Sequence, residues 1–263
     1  MKCLLLVFPL ALFSSGVVSG PLVDSMNGVA VTPDVYKVTL EKIEFKQTSG
    51  SYTTFWSGSE TMDIASVDAG SSIGSVAAGL AIPDGSYTHL RIQVGNTFTI
   101  KGSTTDATTG GGTDPCRTAT GYTANAIDTG TVYMTQSSDD GGTAVNQSVD
   151  VPVDDAGAGT AVYDAMVAAS IGMLDSSGST VTSWDSDDSL GSLTMEVALA
   201  TTITIDSISG AYPTMSIDFK TTDGIEFADS KGNAGGGNCI VLMMPPIMTV
   251  TVNGTATAFE PSL

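Results

Sequence analysis

Residues 193–205 read Leu193-Thr194-Met195-Glu196-Val197-Ala198-Leu199-Ala200-Thr201-Thr202-Ile203-Thr204-Ile205. Apolar residues stand at 193, 195, 197 and 199, and the same parity resumes at 203 and 205. A period of two places alternate side chains on one face of extended backbone, so this stretch is a long strand, or two collinear ones, with one face buried. Working outward, Leu90, Ile92 and Val94 alternate with Arg91 and Gln93. Met215, Ile217 and Phe219 alternate with Ser216, Asp218 and Lys220, and Met248, Val250 and Val252 with Thr249 and Thr251. Tyr36, Val38 and Leu40 share one parity while Ile43 and Phe45 take the other. A one-residue shift of that kind predicts a β-bulge near Glu41 or Lys42. Pro83-Asp84-Gly85, Ser209-Gly210, Asp223-Gly224 and Asn253-Gly254 punctuate the runs as turns. No repeat of fixed period is present, which argues against a solenoid or propeller. The expected fold is all-β, a mostly antiparallel β-sandwich.

Two stretches depart from this pattern. Val162, Met166, Ala169 and Met173 follow helical spacing, which predicts a helix over about 161–174. Ile73, Val76, Ala77 and Leu80 do the same over a shorter piece interrupted by Gly74 and Gly79. Residues 102–175 differ in texture, with Gly110 to Gly112, Asp139 to Gly142 and Asp154 to Gly159 around strand-like pieces at 131–135 and 145–153. They are expected to form an elaborated, helix-bearing insertion in a single domain spanning 20–263.

The N-terminal residues have the form of an export signal. Lys2 supplies positive charge, Leu4 to Phe13 an apolar core, and Ser14 to Ser19 a small-residue cleavage region. Val17 and Ser19 fit the −3 and −1 positions, so residues 1–19 are read as a signal peptide and Gly20 as the mature start. Cys3 lies inside the signal, which leaves no acylated cysteine at the mature end. The expected location is secreted: extracellular, cell surface or periplasm. Cys116 and Cys239 then remain, an even count in an oxidising compartment, and are expected to pair as a disulfide. No later segment has the length and apolarity of a membrane span; the most apolar, Ile240 to Met248, is short and contains Pro245 and Pro246.

Charged residues make up only 14% of the 263, well under the roughly 25% of ordinary globular chains. Nine Lys and Arg stand against 28 Asp and Glu, a net charge of −19. That balance excludes nucleic acid, whose phosphates need clustered cations. It serves solubility in an exported protein, with a cation-binding surface as the alternative.

One resemblance emerges from the order of motifs. Val35-Tyr36-Lys37-Val38-Thr39-Leu40 leads to Lys42-Ile43-Glu44, then Met62-Asp63-Ile64, then Ile82-Pro83-Asp84-Gly85-Ser86-Tyr87-Thr88-His89-Leu90-Arg91-Ile92. Ser216-Ile217-Asp218-Phe219 and a proline-bearing closing strand around Met244 to Val252 follow much later. This series resembles a family of exported bacterial and archaeal β-sandwich domains known as domain of unknown function 4382. The resemblance covers residues 30–100, extends loosely over 213–252, and implies a sandwich fold and an exported location, with no activity attached.

No catalytic constellation stands out. His89 is the only histidine, and no nucleophile signature accompanies it. Two cysteines and one histidine do not make a zinc site. Asp185, Asp187 and Asp188 are candidate calcium ligands: Asp185, Asp187, Ser189 and Glu196 fall at positions 1, 3, 5 and 12 of a calcium loop. Leu190 replaces the glycine that the sharp turn requires, so a solvated acidic turn is preferred and no cofactor is expected. Asn146-Gln147-Ser148 and Asn253-Gly254-Thr255 match the glycosylation pattern. The functional expectation is a secreted, acidic, non-catalytic structural or binding protein with an unspecified protein or glycan partner. The alternatives are an extracellular fibre or matrix subunit assembling by strand pairing, for which Val29 to Leu40 and Ile240 to Val252 are the candidate segments, and a carboxylate-dependent hydrolase.

Overall fold

The computed structural model describes residues 28–48, 50–66, 83–105, 115–120, 135–138, 142–150, 171–175, 177–181, 190–206, 208, 215–229, 238–243, 246–252 and 255–259. These form antiparallel strands: β1 (Val29–Val31), β2 (Val35–Gln47), β3 (Tyr52–Asp63), β4 (Gly85–Gly95), β5 (Thr97–Lys101), β6 (Ser103–Thr104), β7 (Cys116–Arg117), β8 (Thr135–Ser138), β9 (Gln147–Asp150), β10 (Ile171–Asp175), β11 (Leu190–Ile205), β12 (Met215–Lys220), β13 (Ile225–Asp229), β14 (Asn238–Met243), β15 (Ile247–Val252) and β16 (Thr255–Phe259). A seven-stranded sheet runs β10-β11-β4-β2-β5-β9, with β3 on the other edge of β2. A six-stranded sheet runs β1-β13-β14-β8-β7-β6, and β12-β15-β16 make a third.

Alternation drives this arrangement. The inward residues of β2 (Tyr36, Val38, Leu40, Ile43, Phe45), β4 (Leu90, Ile92, Val94), β11 (Leu193, Met195, Val197, Ile203, Ile205), β13 (Ile225, Phe227) and β15 (Met248, Val250, Val252) enter one buried cluster. Burying a side chain of this size stabilises by about 1.5–3 kcal/mol, so the pattern fixes which face of each strand turns inward. Tyr36 meets Phe98 edge-on at 6.1 Å between ring centres, and Phe45 meets Tyr87 at 5.7 Å.

β2 is the spine. It pairs with β3 along one edge, and with β4 over Leu40–Gln47 and β5 over Val35–Lys37 along the other. The expected bulge is present: Leu40 faces Val94 and Lys42 faces Gln93, leaving Glu41 as the extra residue. A second bulge was not foreseen. Lys46 faces His89 while Gln47 faces Tyr87, so Thr88 is the extra residue in β4. Tyr87 therefore does not share the outward side with His89; it is 1% exposed, and its hydroxyl donates to the Pro83 carbonyl at 2.8 Å.

Among the described residues there is no helix. The helix expected over 161–174 is corrected at its C-terminal end, where Ile171–Asp175 is strand β10. Ile171 and Met173 pair with Met195 and Leu193, and a Cβ on Gly172 would run into the Thr194 hydroxyl. Pairing with a long, well-formed strand outweighs local helical spacing there. Residues 161–170, the helix expected at 73–80 and the signal peptide at 1–19 lie outside the described residues. The 102–175 stretch supplies β6, β7 and β8 to one sheet and β9 and β10 to the other. Buried Thr118 anchors it: its hydroxyl donates to the Val145 carbonyl at 2.7 Å and accepts from the Gly102 amide at 3.1 Å.

Cys116 and Cys239 are bonded, as expected. The bridge joins β7 to β14 with Cα atoms 5.7 Å apart and closes 123 residues of chain. Loop-closure arguments put its stabilisation at about 4–5 kcal/mol. Of the two apolar segments considered for strand-pairing assembly, β2, β14 and β15 each have strands on both edges, while β1 at the start of the first is an edge strand of the six-stranded sheet.

Candidate functional site

The outer face of the seven-stranded sheet carries an ordered polar network, and β2 organises it. The bulge at Glu41 restores Lys42, Glu44 and Lys46 to the outward side that Lys37 occupies, while Ile43 and Phe45 point inward. Glu44 lies at the centre and is only 6% exposed despite facing out of the core. Arg91 on β4 stands opposite it and donates through Nε to Glu44 Oε2 at 2.7 Å, with Nη2 2.6 Å from the same oxygen. Thr54 on β3 donates to Glu44 Oε1 at 3.3 Å, and Lys42 Nζ is 3.9 Å from the same oxygen. The Tyr52 ring covers the group, 3.9 Å from Arg91 Cζ and 5.5 Å from Lys46 Nζ.

Tyr52 and Glu196 complete this cluster. Glu196 on β11 stands opposite Arg91 on the side away from Glu44. The Tyr52 hydroxyl is enclosed, with the Glu196 carboxylate as its neighbour and no well-formed hydrogen bond among the described residues. Burial first, and Glu196 second, push the phenol well above its usual range, so Tyr52 stays protonated near neutrality.

A second link lies beside it. Ser192 donates to Glu41 Oε2 at 2.5 Å, and Gln93 Nε2 donates to Glu41 Oε2 and to Ser192 Oγ, both at 3.1 Å. The absence of a side chain at Gly95 makes room: a Cβ there would sit 3.3 Å from Glu41 Oε1. Glu41 thus reaches past β4 to β11, and two carboxylates of β2 tie four strands together.

His89 is half-buried opposite Lys46 and Ala198, with Nδ1 3.0 Å from the Thr88 hydroxyl. Among the described residues its side-chain hydrogen bond is to the neighbouring threonine, which does not order an imidazole as a carboxylate would. Asp185, Asp187 and Asp188 lie outside the described residues. Among the described residues no three His, Cys, Asp or Glu side chains gather into a metal site. No helix among them is long and apolar enough to cross a membrane. Asn146 is exposed; Asn253 lies outside the described residues.

Elsewhere, Glu226 of β13 is 5% exposed and its Oε1 accepts from the Gly28 amide at 2.9 Å. Burial pushes its carboxyl up, partly opposed by that amide. Glu44, Arg91, Tyr52 and Glu226 were not singled out from the sequence. The available signal was the outward parity of Lys42, Glu44 and Lys46 once the bulge is placed.

No family model, curated protein or solved structure matches this chain. The resemblance to the domain-of-unknown-function family therefore stands on its quoted motifs alone.

Proposed function

We propose that this is an exported, non-catalytic binding or structural protein of the cell surface or extracellular space, with the outer face of the seven-stranded sheet as its working surface. The observation that carries the reading is the condition of that face. Its central carboxylate is already engaged, with Glu44 held by Arg91, Lys42 and Thr54 under the Tyr52 ring. A carboxylate engaged in this way is poorly placed to take a proton from a substrate. It serves better as a rigid support for the side chains around it. The disulfide is in keeping with an oxidising compartment. Strand-pairing assembly through the apolar segments ranks behind this reading, because β2, β14 and β15 already have partners on both edges and the edge strand β1 offers three residues.

The test is a turnover screen of the secreted protein against ester, peptide and glycoside substrates. The expected outcome is no turnover above that of the doubly substituted His89→Ala, Glu44→Gln protein. Hydrolysis abolished by either substitution in a protein that still folds would show an active site and end the non-catalytic reading.

A further inference from the structure

The chain distributes its few cations unevenly. Of nine Lys and Arg, five (Lys37, Lys42, Lys46, Arg91 and Lys101) lie on the outward face of the seven-stranded sheet. Three acids that share this face are engaged. Glu44 is held by Arg91, Glu41 by Ser192 and Gln93, and Asp63 accepts from the amides of Tyr36 and Ala65. Glu196 lies beside the Tyr52 hydroxyl. Among the described residues, Lys37, Lys46 and Lys101 have no carboxylate at ion-pair distance, the two ion pairs there being Lys42–Glu44 and Arg91–Glu44. Lys37 faces Thr99 and Lys101 faces Val35, which makes the two lysines diagonal neighbours about 7–8 Å apart. Lys46 marks the other end of β2, about 30 Å away at the rise of a strand.

We propose that this lysine-bearing face docks against an acidic surface of a second copy of the same chain. The proposal rests on reading this face as the working surface and names its partner. Charge complementarity selects the occupant. Apart from the five cations and four acids just named, the sequence holds four basic and 24 acidic residues. Outside this face the sequence is on balance strongly acidic, so contacts between copies that leave the lysines out are repulsive on the whole, whereas lysine face to acidic remainder is attractive. Such a contact joins different patches on the two copies, so it repeats head to tail.

Salt gives the association a characteristic signature. At about 0.01 M the Debye length is near 30 Å and the two net-negative molecules repel as wholes; at about 0.15 M it is near 8 Å and contact charges dominate. At about 1 M it is near 3 Å and the contact charges are screened too. Association therefore peaks at intermediate salt.

Sedimentation velocity of the mature, disulfide-intact protein at these three salt concentrations tests this. Zero-length carbodiimide crosslinking of mixed ¹⁴N and ¹⁵N copies then identifies contacts between molecules. We expect association strongest at the middle concentration, with crosslinks from Lys37, Lys46 or Lys101 to Asp or Glu of another copy. Replacing all three lysines by glutamine should weaken association at least about tenfold with an unchanged melting temperature, and replacing them by arginine should retain it. The arginine protein keeps the test decisive if the glutamine protein fails to fold: its failure to associate while folded would overturn the proposal. So would a monomer at all three concentrations, or association indifferent to the lysines. A monomer that binds polygalacturonate through these lysines would likewise overturn it and assign the face to an acidic glycan. None of these outcomes bears on the turnover screen, so the non-catalytic reading stands or falls separately.

Discussion

Replacing Arg91 by alanine should destabilise the protein by about 3 kcal/mol, and the structure supplies the parts of that figure. The substitution removes two donors lying 2.6 and 2.7 Å from Glu44 Oε2. Hydrogen bonds to a charged group contribute about 1.5–3 kcal/mol, and here the loss strands a carboxylate that is 6% exposed. A buried ion pair broken from one side costs about 3–5 kcal/mol, but the Arg91 side chain is 31% exposed, so the lower end applies. Loss of the Tyr52 stacking adds about 0.5–1 kcal/mol, and the remaining Lys42 contact at 3.9 Å offsets little. Urea unfolding monitored by circular dichroism measures the loss as a shift in midpoint at constant slope. Arg91→Lys should recover only part of it, because an ammonium does not reproduce the guanidinium fork. In a double-mutant cycle with Glu44→Gln, the coupling should reach about 2 kcal/mol. A loss under about 1 kcal/mol for Arg91→Ala, or a coupling near zero, would refute the claim that this pair supports the face.

Intact mass of secreted protein should give a chain beginning at Gly20 with Cys116 and Cys239 oxidised, and the Cys116→Ser, Cys239→Ser double variant should lose about 2–5 kcal/mol of stability. Two free thiols in the secreted protein would contradict the bridge. Glu226→Gln should raise the melting temperature at pH 7 by about 1–3 °C, since the amide oxygen still accepts from Gly28 without a buried charge. A carboxyl raised in the folded state favours folding fully below its ordinary value of 4.5 and loses that contribution as pH rises through the folded value. The gain should therefore vanish below about pH 4, and a gain that persists there would remove Glu226 ionisation as its cause.

Much of the fold was legible because burial imposes a strict period on strands. The parity of Leu193, Met195, Val197, Ile203 and Ile205 survives in β11 although its pairing with β4 breaks between Ala198 and Ile203. The shift after Leu40 signalled the Glu41 bulge for the same reason, since both flanks of that position are core residues. Thr88 gave no comparable signal. With Tyr87 aromatic and polar at once, either orientation of that residue satisfies the alternation, and only its contact with Phe45 and bond to Pro83 decide it. Met173 misled because it continues the helical spacing of Val162, Met166 and Ala169 while also alternating with Ile171 as a strand, and β11 supplies the pairing that local sequence does not reveal.

The charged face was harder to read for a different reason. Its chemistry depends on which residues of four strands lie opposite one another, and register is a property of pairs of strands rather than of either one. Arg91 looks like any outward residue until Glu44 is placed against it on one side and Glu196 on the other. Composition pointed away from such a face: a net charge of −19 suggests an evenly acidic surface. The lysines of β2 gather on one side because a single bulge corrects the parity between Lys37 and Lys42. Were Glu41 paired regularly instead of bulged, Lys42 and Lys46 would turn toward the core, where an unpaired ammonium is far too costly to bury. Bulging Glu41 out of the pairing thus keeps Ile43 and Phe45 inside and the cations together outside. The same local feature serves core packing and creates the lysine face.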